Sequence, residues 1–281
     1  MRAPTGYPQS PISLCLLWAA LACPAAAAEE YGQSFRGRAF DLRIFRATGS
    51  NAHQAMSVDA RGLRIAPRPD HGSNLPVGLI LRPGVRGDFE ITMAFSIIRL
   101  DKPTAGNGAG VSIWISTTAA SREAATIARL VRPSEESVFV AHRAVTLPDG
   151  KREYHGGTPA AAEGLSGQLR LVRKGNVLTY FAALGESSAF QELYQTEFTS
   201  EDLETVRFAV DNGGSPTVVD ARIEAVSVKA GEFGPARPAA VRTAWSSRLV
   251  AGLTIGPLLL ASAFWLSWRY KRNKCPTTSR T

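Results

Sequence analysis

The stretch FEITMAFSI, residues 89–97, decides the fold of this chain because its side chains alternate strictly between two chemical classes. Successive side chains of a β-strand point to opposite faces of the sheet, so a period of two predicts a strand with one buried and one solvated face. The apolar positions of this strand are Phe89, Ile91, Met93, Phe95 and Ile97.

Most of the chain between residues 35 and 229 shows the same period. Residues 109–117 place Val111, Ile113 and Ile115 on one face, with Ser112, Trp114 and Ser116 on the other. Further strands are predicted at residues 40–45, 62–66, 77–82, 126–132, 138–143, 168–173, 177–184, 190–196, 206–211 and 218–229. No stretch of helical period exceeds two turns, so the body belongs to the all-β class.

Local signals between these strands predict three connections. Lys174, Gly175 and Asn176 predict a tight hairpin, because glycine and asparagine accept the positive φ of such turns. Residues 200–205 (SEDLET) predict one short helix, with Ser200 as its cap. Residues 106–110 (GNGAG) precede a strand rather than a helix, which predicts a tight turn with a close backbone contact instead of a nucleotide site.

About a dozen antiparallel strands exceed what a twisted open sheet usually holds, so we expect two stacked sheets. Long loops at residues 101–108 and 147–164 favour crossovers between the sheets. The fold prediction is therefore a two-sheet antiparallel jelly-roll sandwich, concanavalin A-like, over residues 29–230.

The net charge of +8 belongs to the ends of the chain. Seven of the 32 basic residues and none of the 24 acidic ones lie outside residues 29–247, so that middle part carries a net charge of +1. A basic surface that would bind nucleic acid is therefore not expected.

Residues 1–28 are predicted to be a secretory signal peptide. Arg2 precedes an uncharged run, and Ala26 and Ala28 form an A-x-A exit, so we expect cleavage after Ala28. One alternative is a lipoprotein that is cut before Cys23. The other is an uncleaved anchor, which is disfavoured because the run is shorter than the roughly 20 residues that a bilayer needs.

The other end predicts a membrane anchor. The residues from Leu249 to Trp268 carry no charge, and a basic stretch follows directly. We therefore assign residues 231–247 to a Pro/Ala-rich tether, 248–268 to a transmembrane helix and 269–281 to a cytoplasmic tail. The expected location is the cell membrane, with the sandwich outside the cytoplasm and without disulfides, because the three cysteines (Cys15, Cys23 and Cys275) lie outside it.

Several segments of the body resemble a family of domains. They are residues 62–65 (GLRI), 77–79 (VGL), 87–92 (GDFEIT), 108–111 (GAGV) and 167–173 (GQLRLVR). They are similar to the planctomycete-type domain of unknown function 1583 and, more distantly, to concanavalin A-like and laminin-G-like sandwiches and a related domain of sugar hydrolases. The resemblance implies a sandwich outside the cytoplasm and points to no catalytic residue.

Asp88 and Glu90 are the one pair of acids that suggests catalysis. They are two residues apart on one strand, so their Cα atoms lie about 6.6 Å apart on the same face. Glycosidases of sandwich fold use carboxylates at alternate strand positions, but the three-acid pattern is incomplete here, with Arg86 upstream and Thr92 downstream. We favour the alternative of a solvated strand face paired with arginines.

Oxygen-rich turns suggest calcium as a possible cofactor. Asp211 and Asn212 open a glycine turn, Asp220 follows, and Asp101 and Asn107 bracket another loop. No spacing matches an EF-hand, and Asx-Gly pairs are common turn formers, so a structural loop is the alternative. No zinc site is predicted, because the four histidines (His53, His71, His142 and His155) have no metal-binding spacing.

Trp114 is the candidate for ligand binding. It lies on the polar face of its strand, where a flat ring could stack on a sugar, although it could equally pack under a loop. Tyr154 and His155, in a glycine-bounded loop, are candidates for the same rim.

These observations predict a membrane-anchored module that binds glycan or an envelope protein without catalysis. The first alternative is a glycan-active hydrolase that uses Asp88 and Glu90. The second is a structural envelope protein that contacts its neighbours through sheet edges or the tether.

Overall fold

The described residues form two stacked β-sheets. The structure, a computed structural model, describes residues 28–49, 51–69, 75–118, 123–147, 149–185 and 189–235. They contain sixteen strands, all paired antiparallel, and one four-residue helix, α1 (Ala52–Ala55). The all-β antiparallel sandwich predicted from the sequence is confirmed.

One sheet, which we call the front sheet, has β7 and β15 at its centre. Its order follows from the pairings of neighbouring strands. From one edge to the other it comprises β2 (Phe45–Thr48), β5 (Val77–Leu81), β15 (Leu203–Asp211), β7 (Ala109–Thr117), β8 (Ala124–Val131), β9 (Ser137–Thr146), and finally β10 (Arg152–Gly156) and β11 (Ala160–Ala161), which both pair with β9.

The other sheet, the back sheet, is built around two long strands, β6 and β16. It comprises β14 (Gln191–Glu197), β13 (Val177–Leu184), β12 (Ser166–Lys174), β6 (Gly84–Leu100), β16 (Val219–Gly234), and then β4 (Gly62–Ile65), β3 (Met56–Asp59) and β1 (Glu29–Ser34). Both β4 and β1 pair with β16. Among the described residues, Leu203 of β15 and Val85 of β6 form the single strand pairing between the two sheets.

The core lies between the sheets and consists of the residues that the sequence period predicts. Ile91, Met93 and Phe95 of β6 have at most 2% of their surface exposed, and Val111, Ile113 and Ile115 of β7 have none. Each fully buried side chain of this size contributes roughly 1.5–3 kcal/mol to folding. The apolar faces of both sheets therefore form one shared interior.

Two local predictions are wrong. Residues 200–205 form no helix, because Leu203 is fully buried and begins β15. Residues 40–45 form a turn rather than a strand, because Asp41 accepts hydrogen bonds from the backbone N–H groups of Ile44 and Phe45, and β2 begins only at Phe45.

The hairpin at residues 174–176 and the close contact at residues 106–110 are both present. Lys174 pairs with Val177, and Gly175 has a φ of 58°. Five strands were not predicted: β1, β2, β3, β10 and β11. They are short and lie toward sheet edges, where polar side chains hide the period.

The predicted signal peptide, transmembrane helix and cytoplasmic tail lie outside the described residues. Within the described ranges, no helix has the length and apolar character needed to cross a bilayer. At the predicted boundary between sandwich and tether, β16 continues to Gly234.

Arg173 ties the two sheets together from inside the core. Its side chain is 1% exposed and lies over the Phe89 ring, with Cζ 4.7 Å from the ring centroid. Its guanidinium donates hydrogen bonds to the backbone carbonyls of Gly87 in the back sheet and of Thr199 and Glu201, which precede β15 in the front sheet. Burial lowers the pKa of Arg173 to about 10.

We expect Arg173→Met to destabilise the fold by about 2–4 kcal/mol, because three backbone carbonyls lose the buried donor that joins them. Urea unfolding at pH 7 measures this difference. The control is Arg46→Met at an exposed position of β2, which should change stability by less than about 0.5 kcal/mol. Equal effects of the two substitutions would show that Arg173 does not tie the sheets.

Candidate functional site

A row of functional side chains crosses the outward face of the front sheet. Arg207 of β15 lies opposite Trp114 of β7, Trp114 opposite Thr126 of β8, and Thr126 opposite His142 of β9. Directly paired residues of an antiparallel sheet share a face. Since Val206 and Phe208 point into the core, this row must point outward.

The neighbouring row has small side chains, and this creates a groove. Ala209, Ser112 and Ala128 pair across β15, β7 and β8 next to the row of Arg207 and Trp114. The depression has a volume of about 340 Å³, and a second depression of about 820 Å³ shares His142 and Asn107 with it. We call the two together the front groove.

Two glycine-rich loops close one end of the front groove. A Cβ atom on Gly213 (φ +65°) would lie 2.2 Å from the carbonyl oxygen of Gly108, and one on Gly106 would lie 2.3 Å from that of Gly213. The hydroxyl of Ser215 accepts a hydrogen bond of 3.0 Å from the backbone N–H of Thr104. Backbone contact this close requires glycine on both sides.

Arg207 and Trp114 form a stacked pair in the groove. The guanidinium Cζ of Arg207 lies 4.7 Å from the centroid of the Trp114 ring. The Nε atom of Arg207 is buried without a hydrogen-bond partner. Burial lowers the pKa of Arg207, while the charge of Asp211 opposes that shift.

Asp211 is the acidic residue of the groove. Its Oδ1 atom accepts a hydrogen bond of 2.9 Å from the backbone N–H of Gly213. Burial nevertheless raises the pKa of Asp211, and the hydrogen bond and the charge of Arg207 only partly offset this. The sequence analysis considered Asp211 for calcium, and the structure places it beside a cationic side chain instead.

Tyr154 and His155 point in opposite directions from β10. Tyr154 is 65% exposed and contacts the ring of His142, with centroids 5.9 Å apart, so it lines the groove. His155 is the next residue and lies 3.6 Å from Glu153 (Nε2 to Oε2) on the other face. Burial, together with the charge of Arg152, lowers the pKa of His142, which leaves that imidazole neutral at pH 7.

Asp88 and Glu90 lie on the outward face of the back sheet, away from the groove. The carboxylate of Asp88 accepts a hydrogen bond of 2.7 Å from the backbone N–H of Gly175 in the hairpin. Glu90 lies 3.8 Å from the guanidinium of Arg170 (Oε1 to Nε). Glu90 therefore has an arginine neighbour and Asp88 a backbone partner, so both acids have structural contacts.

Two further calcium candidates, Asn212 and Asp220, have partners within the protein. Asn212 is buried and accepts a hydrogen bond of 3.3 Å from the backbone N–H of Gly214. Asp220 lies in β16 of the back sheet, where Arg64 donates two hydrogen bonds of 2.6 and 2.9 Å to it. No cluster of three or more His, Cys, Asp or Glu side chains that could hold a metal ion occurs in the described ranges.

The sequence pattern predicts Trp114 and Tyr154 as binding residues, but it does not assign Arg207, His142 and Asn107 to the same site. These residues come from strands and loops up to about a hundred positions apart, and only the strand order places them together. The signal that could have found them is their place on the polar side of their own strands.

The family comparison covers most of the chain. A family described as "Protein of unknown function (DUF1583) C domain" matches residues 19–248. The chain belongs to the DUF1583 family. No curated protein matches it.

Solved structures similar to this DUF1583 domain include a protein described as GH43. A mutant of the GH43 protein BlXynB from Bacillus licheniformis aligns with a TM-score of 0.52 and 14% identity, over 71% of this chain but only 39% of that protein. LamAcat from Zobellia galactanivorans aligns with a TM-score of 0.48 and 11% identity, over 70% of this chain and 96% of that one. The similarity to BlXynB concerns the fold alone.

We expect Gly213→Ala to destabilise the DUF1583 domain by about 2–4 kcal/mol, because the new methyl group meets a backbone carbonyl in addition to the strain of a positive φ. Gly37→Ala is the matched control, since Gly37 has the same φ of +65° and open space around it. That variant should lose only about 1–2 kcal/mol. Urea unfolding of both variants tests this, and equal losses would contradict the close contact.

We expect Asp211→Asn to stabilise the protein at pH 7. Burial raises the pKa of Asp211 in the folded protein, so its charged carboxylate lowers the free energy of unfolding at pH 7. At low pH the carboxyl group is protonated and this destabilisation disappears. Asparagine keeps the acceptor for Gly213. The gain in unfolding free energy should therefore shrink as the pH falls from 7 toward 4, and a gain that grows instead would refute this.

Proposed function

We propose that this protein is a non-catalytic binding module that holds a glycan in the front groove. The observation that carries the proposal is the position of Trp114, half-buried in a groove whose neighbouring row is made of alanine and serine. Ser112 and Ala128 line the groove beside Trp114 without filling it, and sugar rings stack on aromatic rings through their C–H groups.

Polar groups around Trp114 suit the hydroxyl groups of a saccharide. Asn107 at the loop end offers both a donor and an acceptor, and the neutral imidazole of His142 offers one of each. Tyr154 adds a second exposed ring further along the groove. Two aromatic rings in one elongated groove fit several units of a chain better than a single small sugar.

The distribution of acids supports binding rather than hydrolysis. Glycoside hydrolysis generally requires two carboxyl groups on either side of the scissile bond. Among the described residues that line the front groove, Asp211 is the acidic one. Asp88 and Glu90 lie on the opposite sheet and are engaged by Gly175 and Arg170.

We further propose that the sandwich is held outside the cytoplasm, at the cell membrane. The support comes from the sequence, in which a signal peptide pattern precedes the sandwich and an uncharged stretch from Leu249 to Trp268 follows it. In that arrangement the groove faces envelope or extracellular polysaccharides.

We expect Trp114→Ala to reduce glycan affinity at least about tenfold, because the stacking platform is lost. The full-length protein in detergent is first screened on a glycan array, and the affinity of each ligand found is then measured by calorimetry. Trp114→Phe keeps a ring and should retain part of the affinity.

The matched control is Phe190→Ala. Phe190 also carries a stacked arginine, with Arg170 Cζ 3.7 Å from its ring centroid, but it lies at the back sheet. Its loss should leave glycan affinity unchanged. A folded protein that binds no glycan on the array would overturn the proposal in favour of the structural envelope hypothesis.

A further inference from the structure

The front groove carries more positive than negative charge. Arg207 and Arg132 line it, and Arg152 lies two residues from Tyr154 on the same face of β10. Arg152 acts electrostatically on His142. Asp211 is the acidic lining residue within the described part of the chain, and Glu136 lies 3.7 Å from Arg132 (Oε2 to Nη1). A ligand with negative charge is therefore favoured near Arg207 and Arg152.

Arg207 has no ion pair among the described residues, in contrast to three arginines of the back sheet. On the back sheet, by contrast, Arg170 donates to the hydroxyl of Thr92 at 3.1 Å and lies 3.8 Å from Glu90. Arg64 and Arg222 donate to Asp220 and Asp59. Arg207 instead stacks on Trp114, and its Nε is buried without a partner.

A stacked guanidinium without an ion pair is well arranged to bind a carboxylate. Its terminal nitrogens form a planar fork that matches two carboxylate oxygens, and the contact with the Trp114 ring restricts the position of the guanidinium before a ligand binds. Because the guanidinium is already partly desolvated in the groove, its bond to an anion is stronger than at an exposed position.

We propose that the front groove selects acidic saccharides, with Arg207 binding the carboxylate of a uronic acid while Trp114 and Tyr154 contact the sugar rings. This inference rests on the proposed glycan function and adds the chemical class of the ligand. Asp211 lies four residues from Arg207 on the same strand, β15, and its charge opposes the binding of an anion.

The experiment compares oligosaccharides that differ only in charge. Full-length protein in detergent is titrated with oligomers of galacturonic, glucuronic and mannuronic acid, and with the same oligomers after reduction of their carboxyl groups to alcohols. At 150 mM salt we expect at least one acidic oligomer to bind about tenfold or more tightly than its reduced form. Raising the salt concentration should narrow that difference.

Three variants assign the selectivity to Arg207. Arg207→Gln should weaken binding of the acidic oligomer about tenfold and that of the reduced form less than about twofold. Arg207→Lys keeps the charge but not the fork, so it should lose part of the selectivity. Asp211→Asn should strengthen binding of the acidic oligomer a few-fold, and Arg170→Gln on the back sheet should change neither ligand.

Each outcome has a defined meaning. Equal binding of acidic and reduced oligomers, or equal losses for both in Arg207→Gln, would overturn this inference and leave the proposed glycan function standing. Binding only to neutral glycans on the array would have the same consequence. Failure to bind any glycan would overturn both, provided that the unfolding transition shows that the protein is folded.

Discussion

The burial of one apolar face of each sheet against the other is the interaction on which the rest of the structure depends. Every second side chain of β6 and β7 enters this interior, and the exposed fraction of Ile91, Ile113 and Ile115 is zero. A shift of either strand by one residue would move all of these side chains into water. The same constraint fixes which residues remain outside, so the position of Trp114 on the outer face is a consequence of core packing.

Arginines in three environments show how the molecule separates structure from binding. Arg173 is buried and donates hydrogen bonds to backbone carbonyls of both sheets and their connections, which joins the sheets. Arg170 is on the outer surface of the back sheet and is engaged by Thr92 and Glu90. Arg207 is on the outer surface of the front sheet and stacks on Trp114. Hence the outer faces of the two sheets differ in whether their arginine side chains are available to bind a ligand.

The period of the sequence was sufficient to predict the long strands and the core, and it placed Trp114 on the polar side of its strand. It could not place Arg207 beside Trp114, because the register between β15 and β7 depends on contacts between residues about ninety positions apart. It also failed at residues 200–205, where burial of Leu203 outweighs the local helix signals of the segment. Cap and charge signals are worth about 1 kcal/mol each, less than one buried leucine.

Strand order also determines how the groove is presented. The two strands that lead out of the sandwich, β1 and β16, pair with each other, with Glu29 opposite Ala230, and a carboxylate oxygen of Glu29 accepts a hydrogen bond of 2.9 Å from the backbone N–H of Phe233. Both belong to the back sheet, and in the described ranges neither contributes a residue to the front groove. The point of exit toward the expected tether therefore lies on the sheet opposite the groove. Attachment through β16, which the proposed anchoring requires, would therefore begin at the sheet that does not carry Trp114.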